Sequence, residues 1–430
     1  MGYIVDVQFF NTFILRLEPI SPATTSELYI EESRIKGGYN EPFVSIGPKA
    51  HLVDETYAET RRNNALIYSG IYNSKTDINR TNVFSAAEPI TRALDPSNGS
   101  IQKLHAEDTN LNILQEDKVS YALIDKDALF TAEGGQLTAS GAAVIGQIVP
   151  YLGKYGTQNP ESFAFKGMRK YFADKNRGAI LRLSRDGITE ISSYGMKDYF
   201  RDNLALISNA FNDNDKIIGM YDDHADEYVV SIQGPNIKLL PNNTYQGYET
   251  LSFDDNVNGW PSFYTYKPDF GFSLNKKFYT FKSNNLWQQY KNTNYNTFYD
   301  DAQPSTITIV ANAEPSLVKN FNAINYEGSA GWQMFSSETD LGIQAFQIKA
   351  NTETIAGEIV PKFVKKENKY YSQLMNKDFS TGDGQITGDA GAKLSTAGLK
   401  GFFTTVKMKN GNVSDNIELF SISHNIVKSS

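Results

Sequence analysis

Asp222, Asp223, Asp226 and Glu227 crowd four carboxylates into one short run. Such a cluster could supply the acid and base of glycoside hydrolysis, or oxygen ligands for calcium. Two β-prone segments, Ile217–Tyr221 and Tyr228–Ile232, flank the run, so it is expected at a hairpin tip with Tyr221 opposite Tyr228. A tip is wet, whereas a general acid needs desolvation to raise its pKa. Turn chemistry, with Asp side chains accepting backbone N–H groups, is therefore the favoured reading, and hydrolysis and calcium are the alternatives.

A second acidic run, Asp254-Asp255-Asn256-Val257-Asn258-Gly259, matches the opening of a D-x-N-x-N-G calcium loop. Thr265 stands where the bidentate Glu belongs, and Pro261 fills the hydrophobic position. The run reads instead as a polar turn that delivers Trp260 into a core. Asp378 and Asp383 fail the same test by their spacing. Alternation sends Trp260, Ser262, Tyr264 and Tyr266 to one side and Phe263 to the other. Exposed, these rings could stack on sugars; core or inter-subunit packing is the preferred reading. His51, His105, His224 and His424 show no i,i+4 pair, and the chain has no cysteine, so no zinc site is expected. Nucleophile-elbow and P-loop motifs are absent, and Gly134-Gly135 lacks the third glycine of a dinucleotide fingerprint. No catalytic residue, cofactor or metal is expected, and the chain reads as a non-enzyme.

The elements that position these residues are hairpins. Ala179–Ser184 and Ile188–Ser192 flank Arg185-Asp186-Gly187, with glycine where a positive φ is wanted. A three-residue loop would set Leu181 against Ile191 and Arg182 against Glu190, an aliphatic pair and an ion pair on opposite faces. Asp186, Gly187, Arg182, Glu190 and Trp260 are thus the candidate structural residues. Downstream, Met196, Tyr199, Phe200, Asn203, Leu204 and Ile207 recur at helical spacing, with Lys197, Asp198, Arg201 and Asp202 on the other face. Further turns are expected at Glu116-Asp117-Lys118, at Ser283-Asn284-Asn285 and at Glu367-Asn368. Their irregular spacing scatters around one or two of the ~40–50-residue units of a propeller. Upstream, Val5–Phe10, Phe13–Leu17 and Ala65–Tyr72 read as strands and Glu88–Leu94 as a short helix. Thr381–Ala392 reads as an exposed Gly-rich loop.

Composition agrees with this picture. Across 430 residues the chain has 25 Tyr and 26 Phe against 3 Trp, a balance that favours strands and turns. A formal net charge of −8 argues against a nucleic-acid-coating surface. No apolar run reaches the ~18–20 residues of a membrane span, and the N-terminal residues lack a signal-peptide pattern, so a soluble, non-exported chain is expected. Met1-Gly2 suggests myristoylation, but Asp6 occupies the Ser/Thr position of that motif. The expected fold is mainly β: antiparallel and hairpin-rich, with a β-propeller-like core and a few short helices. Three parts are drawn: an irregular β-rich 1–100, the propeller-like core 101–300, and an appended β-rich 301–430.

Several long runs carry a resemblance. They include Glu31–Asn40, Asn64–Ser74, Leu94–Gln102, Leu111–Ser120, Asn159–Phe163, Ala179–Asp202 and Gly259–Tyr264. Together they resemble large virion structural proteins of marine tailed phages (T4-like cyanophages and pelagiphages) and the tail muzzle proteins of crAss-like phages. The resemblance implies a structural subunit of the virion, in the tail or tail tip and assembled in the host cytoplasm. Its expected partners are itself, as a homo-oligomeric ring, and neighbouring tail proteins. A receptor-binding component that grips host cell-surface glycan is the alternative, and a tail-borne depolymerase a third.

Overall fold

The protein is described from a computed structural model that covers residues 62–428 apart from 71, 80, 82, 86–89, 108–109, 131–135, 209–214, 239–243, 344–351, 356–357, 362, 375, 378–393 and 396–398. Three short strands upstream, Ile14–Leu17, Ser26–Tyr29 and Arg34–Lys36, are also described. Val5–Phe10, His51, Gly134-Gly135, Asp378, Asp383 and the Gly-rich loop lie outside the described residues. The chain divides into two units, Met1–Lys277 and Phe278–Ser430.

In the first unit, three antiparallel four-stranded meanders follow one another along the chain. The first holds β1 (Ile101–Ala106), β2 (Asn110–Gln115), β3 (Val119–Phe130) and β4 (Gln136–Pro150). The second holds β5 (Ala164–Lys166), β6 (Arg169–Asp174), β7 (Ala179–Ser184) and β8 (Gly187–Glu190). Helix α1 (Lys197–Ala205) leads to the third, built from β9 (Lys216–Asp222), β10 (Glu227–Gln233), β11 (Tyr248–Asp254) and β12 (Gly259–Tyr264). Every strand pairs with its neighbour in sequence. Tyr221 stands opposite Tyr228, as the hairpin reading requires.

Alternation along the strands makes these sheets stack face to face. Ile113 and Ala122 pack under Leu66 and Leu94, whereas Leu114 and Val119 on the opposite face pack against Phe172, Leu181 and Leu183 of the second sheet. The other face of the second sheet, through Tyr171, Ala173 and Ile180, meets Phe200 and Leu204 of α1 and Tyr228, Val230, Leu251 and Phe253 of the third sheet. Asp198, Arg201 and Asp202 form an exposed ion-pair cluster on the outer side of α1. The fold is mainly β and antiparallel; among the described residues no closed propeller or barrel forms.

Three expectations are corrected. The β7–β8 loop has two residues, Arg185-Asp186, so Leu181 faces Glu190, Arg182 faces Thr189 and Leu183 faces Ile188. Leu181 and Ile191 serve different cores on opposite sides of the sheet; pairing them on one face would empty one of those cores. Ile191 accordingly leaves the strand and enters a short 3-10 turn, Ile191–Ser193. The expected helix over Glu88–Leu94 is a strand at Thr91–Ala93, antiparallel to Ala65–Ile67. A segment that short gains little as a helix, and pairing brings Leu94 and Leu66 into one core. The strand expected over Ala65–Tyr72 ends at Ile67.

Two glycines are needed for different reasons. Gly187 has φ +108°, and a Cβ there would meet nothing within 4 Å. Gly219, inside β9, lies so close to the Ser162 carbonyl that a Cβ would sit 1.8 Å from the oxygen and 2.8 Å from the Tyr228 hydroxyl. Such a glycine marks a close approach of backbones within a sheet stack.

The second unit carries its own core. β13 (Lys277–Lys282) and β14 (Asn285–Gln288) turn through Ser283-Asn284, both at positive φ. One sheet contains β15 (Ser305–Ala311), β17 (Gln333–Thr339) and β20 (Thr404–Asn410). The other contains β16 (Lys319–Gly328), β18 (Lys369–Gln373), β19 (Leu399–Gly401) and β21 (Leu419–Lys428). Between them pack Phe321, Ile324, Tyr326, Met334, Val406 and Met408. His424 stands opposite Ile324 and edge-on to Phe321, with ring centroids 6.2 Å apart. Burial pushes its pKa down to about 4.

Replacing Gly187 by Val should cost about 1–3 kcal/mol through backbone strain alone. Gly219→Ala should cost a similar ~1–3 kcal/mol through overpacking. Urea unfolding reads both; a parental midpoint for either variant would show that its geometry is otherwise. A pH effect follows from His424. The unfolded chain takes up the imidazole proton near pH 6.5 and the folded chain only near 4, so stability is full above 6.5 and falls as pH drops through that window. The loss should be on the order of 2 kcal/mol. Comparing His424→Leu with the parent at pH 7 and pH 4.5 isolates it; equal slopes in the two proteins would refute the assignment.

Candidate functional site: an Asp255 clamp between two sheets

Strand β6 reads Arg169-Lys-Tyr-Phe-Ala-Asp174, and everything after Arg169 is buried. Tyr171 points toward the third sheet and stacks on Tyr228 (centroids 4.8 Å apart, planes 12° apart) and on Tyr221 (5.7 Å). Three phenols brought out of water each need a partner. Tyr228 donates to the Ser162 carbonyl at 2.8 Å, and Tyr221 donates to Asp226 Oδ1 at 2.9 Å. Tyr171 donates to Asp255 Oδ2.

Asp255 also accepts from Arg182 Nη1 at 2.6 Å (Oδ1) and from Arg169 Nη1 at 2.9 Å (Oδ2). The side chains of Asp255 and Arg182 are only 8% and 16% exposed. A turn of the third sheet is thereby clamped to two strands of the second. Burial first, and then the bond to Asp255, pushes the Tyr171 hydroxyl well above the ordinary phenol range. It therefore remains a proton donor to Asp255. The opposite face of β6 is tied likewise: Lys170, 3% exposed, pairs with Glu107 beside the first sheet. Asp174 accepts the N–H groups of Gly156 (3.0 Å) and Arg177 (3.2 Å).

The acidic hairpin tip is built as a turn. Asp222 Oδ1 accepts the N–H groups of His224 (2.8 Å) and Ala225 (3.3 Å), and Asp223 pairs with Lys166. Glu227 accepts from Tyr264 at 3.3 Å, and burial raises its pKa. Among the described residues no group of three or more His, Asp or Glu side chains could hold a metal ion. His105 lies against Phe163 and Phe165, His224 sits in the hairpin tip and His424 in the second unit.

Of the candidate residues, Asp186 closes the β7–β8 turn by accepting from Ser184, with Gly187 beside it. The expected Arg182–Glu190 pair does not form, because Arg182 turns to Asp255 while Glu190 accepts from Tyr155 (3.4 Å) and Ser192 (3.4 Å). Trp260 donates to the Ile191 carbonyl at 3.1 Å and packs on Phe200 and Phe253. Simple alternation fails beside it. A register shift where β11 meets β12 sends Trp260 and Phe263 together toward α1, while Tyr264 faces Glu227 on the other side. Trp260 and the buried Tyr266 therefore form no common exposed platform. Sequence reasoning missed Asp255, Tyr171 and Arg169; the only available signal was an acidic residue left over once the calcium loop failed.

Removing the Asp255 carboxylate strands Arg182 and Tyr171 in a dry site. Asp255→Ala should destabilise by about 3–5 kcal/mol. Adding Arg182→Met should recover part of that loss, a coupling read from a double-mutant cycle on unfolding free energies. Strict additivity would show that the clamp is not a unit.

Residues 55–284 match the family described as Crassvirus muzzle protein, and residues 293–377 match the Crassvirus muzzle protein C-terminal domain. A Muzzle protein of Bacteroides phage crAss001 is 32% identical over 93 residues, covering 21% of this chain and 7% of the relative. The chain thus spans only a small fraction of that relative's length. Among the described residues no helix is long and apolar enough to cross a membrane. With a family match running through the whole meander stack and a second inside the other unit, the chain belongs to the crassvirus muzzle protein family.

Proposed function

We propose that this chain is a non-enzymatic structural subunit of a bacteriophage virion, placed in the tail or tail tip and assembled there as a symmetric oligomer. The observation that carries the reading is the family match over residues 55–284, the segment that contains all three stacked meanders. The internal chemistry supports it. Asp255, Asp174, Asp222 and Asp226 are each engaged by hydrogen bonds that fix strands or turns. Leu152 and Val257 in the first unit, and Val310, Leu341 and Phe420 in the second, stay exposed. Apolar side chains of this kind are what contacts with further copies or neighbouring tail proteins would cover. A four-stranded antiparallel meander is also the single blade of a propeller, whose blades pack face to face, so ring closure between copies or with other tail segments suits this architecture.

Mass spectrometry of purified particles should find the chain in the virion, at a stoichiometry that is a multiple of the tail symmetry. Recovery only from infected-cell lysate, with none in particles, would overturn the reading.

A further inference from the structure

In the second unit a groove of about 860 Å³ is lined by the single run 286–300. This volume is in the range of ligand sites. Its wall interleaves five aromatic residues (Trp287, Tyr290, Tyr295, Phe298 and Tyr299) with the amides Gln288, Asn292 and Asn294. Two further amides brace it from within, Gln289 by donating to Thr280 and Asn296 by donating to the Asn410 and Asn412 carbonyls and accepting from Ser305. One cation, Lys291, and one anion, Asp300, complete the charge, so the groove is close to neutral.

Three further observations single out this run. Tyr290 and Tyr295 lie 54% and 46% exposed, too much for core packing. The backbone is strained, with φ of +60° at Tyr290, +53° at Tyr299 and +62° at Asp300. An aromatic residue in this region carries a backbone strain that glycine or asparagine would largely avoid. Trp287 stacks edge-on to Tyr299 at 5.4 Å, and its Nε1–H is enclosed with no protein acceptor among the described residues.

We propose that this groove binds a neutral oligosaccharide. The C–H faces of a pyranose carry the positive edge that an aromatic π face attracts. An amide sets a donor and an acceptor side by side, which matches a pair of neighbouring hydroxyls. With Lys291 offset by Asp300, the wall offers no net counter-charge to a phosphate or uronate. The site shares no residue with Trp260, Tyr264 and Tyr266, and the proposal does not depend on where the chain sits in the particle.

The test uses the full chain with hexasaccharides of mannan, xylan, β-glucan and chitin, read by saturation-transfer NMR and calorimetry. At least one should bind saturably, and Tyr290→Ala and Tyr295→Ala should each weaken it tenfold or more at an unchanged unfolding midpoint. Trp287→Phe should remove the ligand-induced change in indole fluorescence. No saturable binding to any of the four, binding indifferent to both tyrosine changes, or preference for a sulfated oligosaccharide or a proline-rich peptide would each overturn the proposal. Virion incorporation is scored separately, so its failure is not confused with this one.

Discussion

The two central strands of the second sheet, β6 and β7, are covered on both faces, and most of the first unit follows from that. A sheet covered on both sides ordinarily reads as an unbroken apolar run. Strands β6 and β7 instead carry Lys170, Asp174 and Arg182 among their buried and half-buried positions. Each charge therefore has to meet a partner before the neighbouring layer closes over it. Glu107 answers Lys170, the Gly156 and Arg177 amides answer Asp174, and Asp255 answers Arg182. The layers are thus specified by polar matching as well as by apolar area.

Such matching orders the assembly of the unit. Meander pairing is local, each strand against its sequence neighbour, and is cheap in loop-closure entropy. The clamp is different, since Arg182 and Tyr171 find Asp255 across 73 and 84 residues. Pairing within a sheet leaves the buried charges unmatched, and only the correct stacking satisfies them. A misregistered stack would bury Arg182 without a counter-ion, at a cost of several kcal/mol. The clamp therefore selects among stackings even if its net contribution to stability is small.

Much of the fold was legible in the sequence because local rules govern local pairing. The Tyr221–Tyr228 hairpin, the Ala179–Ser184 strand and the buried stripe of α1 follow from turn residues and periodicity. The errors arise where a distant layer outvoted a local pattern or where a register shift interrupted it. Arg182–Glu190 was a sound local ion pair, but the sheet register answers to two cores at once and Asp255 claims the guanidinium. Trp260 was placed in a core for the right reason and on the wrong side of its strand relative to Phe263, because a register shift is not written in the alternation. Glu88–Leu94 offered helix signals, yet the pairing of Ala65 with Ala93 decided it. The Asp255 site was invisible, since nothing in Asp-Asp-Asn-Val-Asn-Gly names the partners that use it.

The separation of cores bears on how the family can vary. The residues that stack the meanders and those that fill the second unit's sandwich form distinct clusters. The two family matches fall largely one in each unit. A core that shares no residue with another can be kept while the other is altered, because packing errors are felt only by direct neighbours. The meander stack, closed by buried charge pairs, tolerates little change inside. The run 286–300 contributes no residue to either set of buried core clusters. Its exposed side chains, Tyr290 and Tyr295 among them, can be exchanged at less cost than Asn296 or Gln289, which are tied into the second unit, and surfaces of that kind are where specificity can be acquired at little cost to a fold.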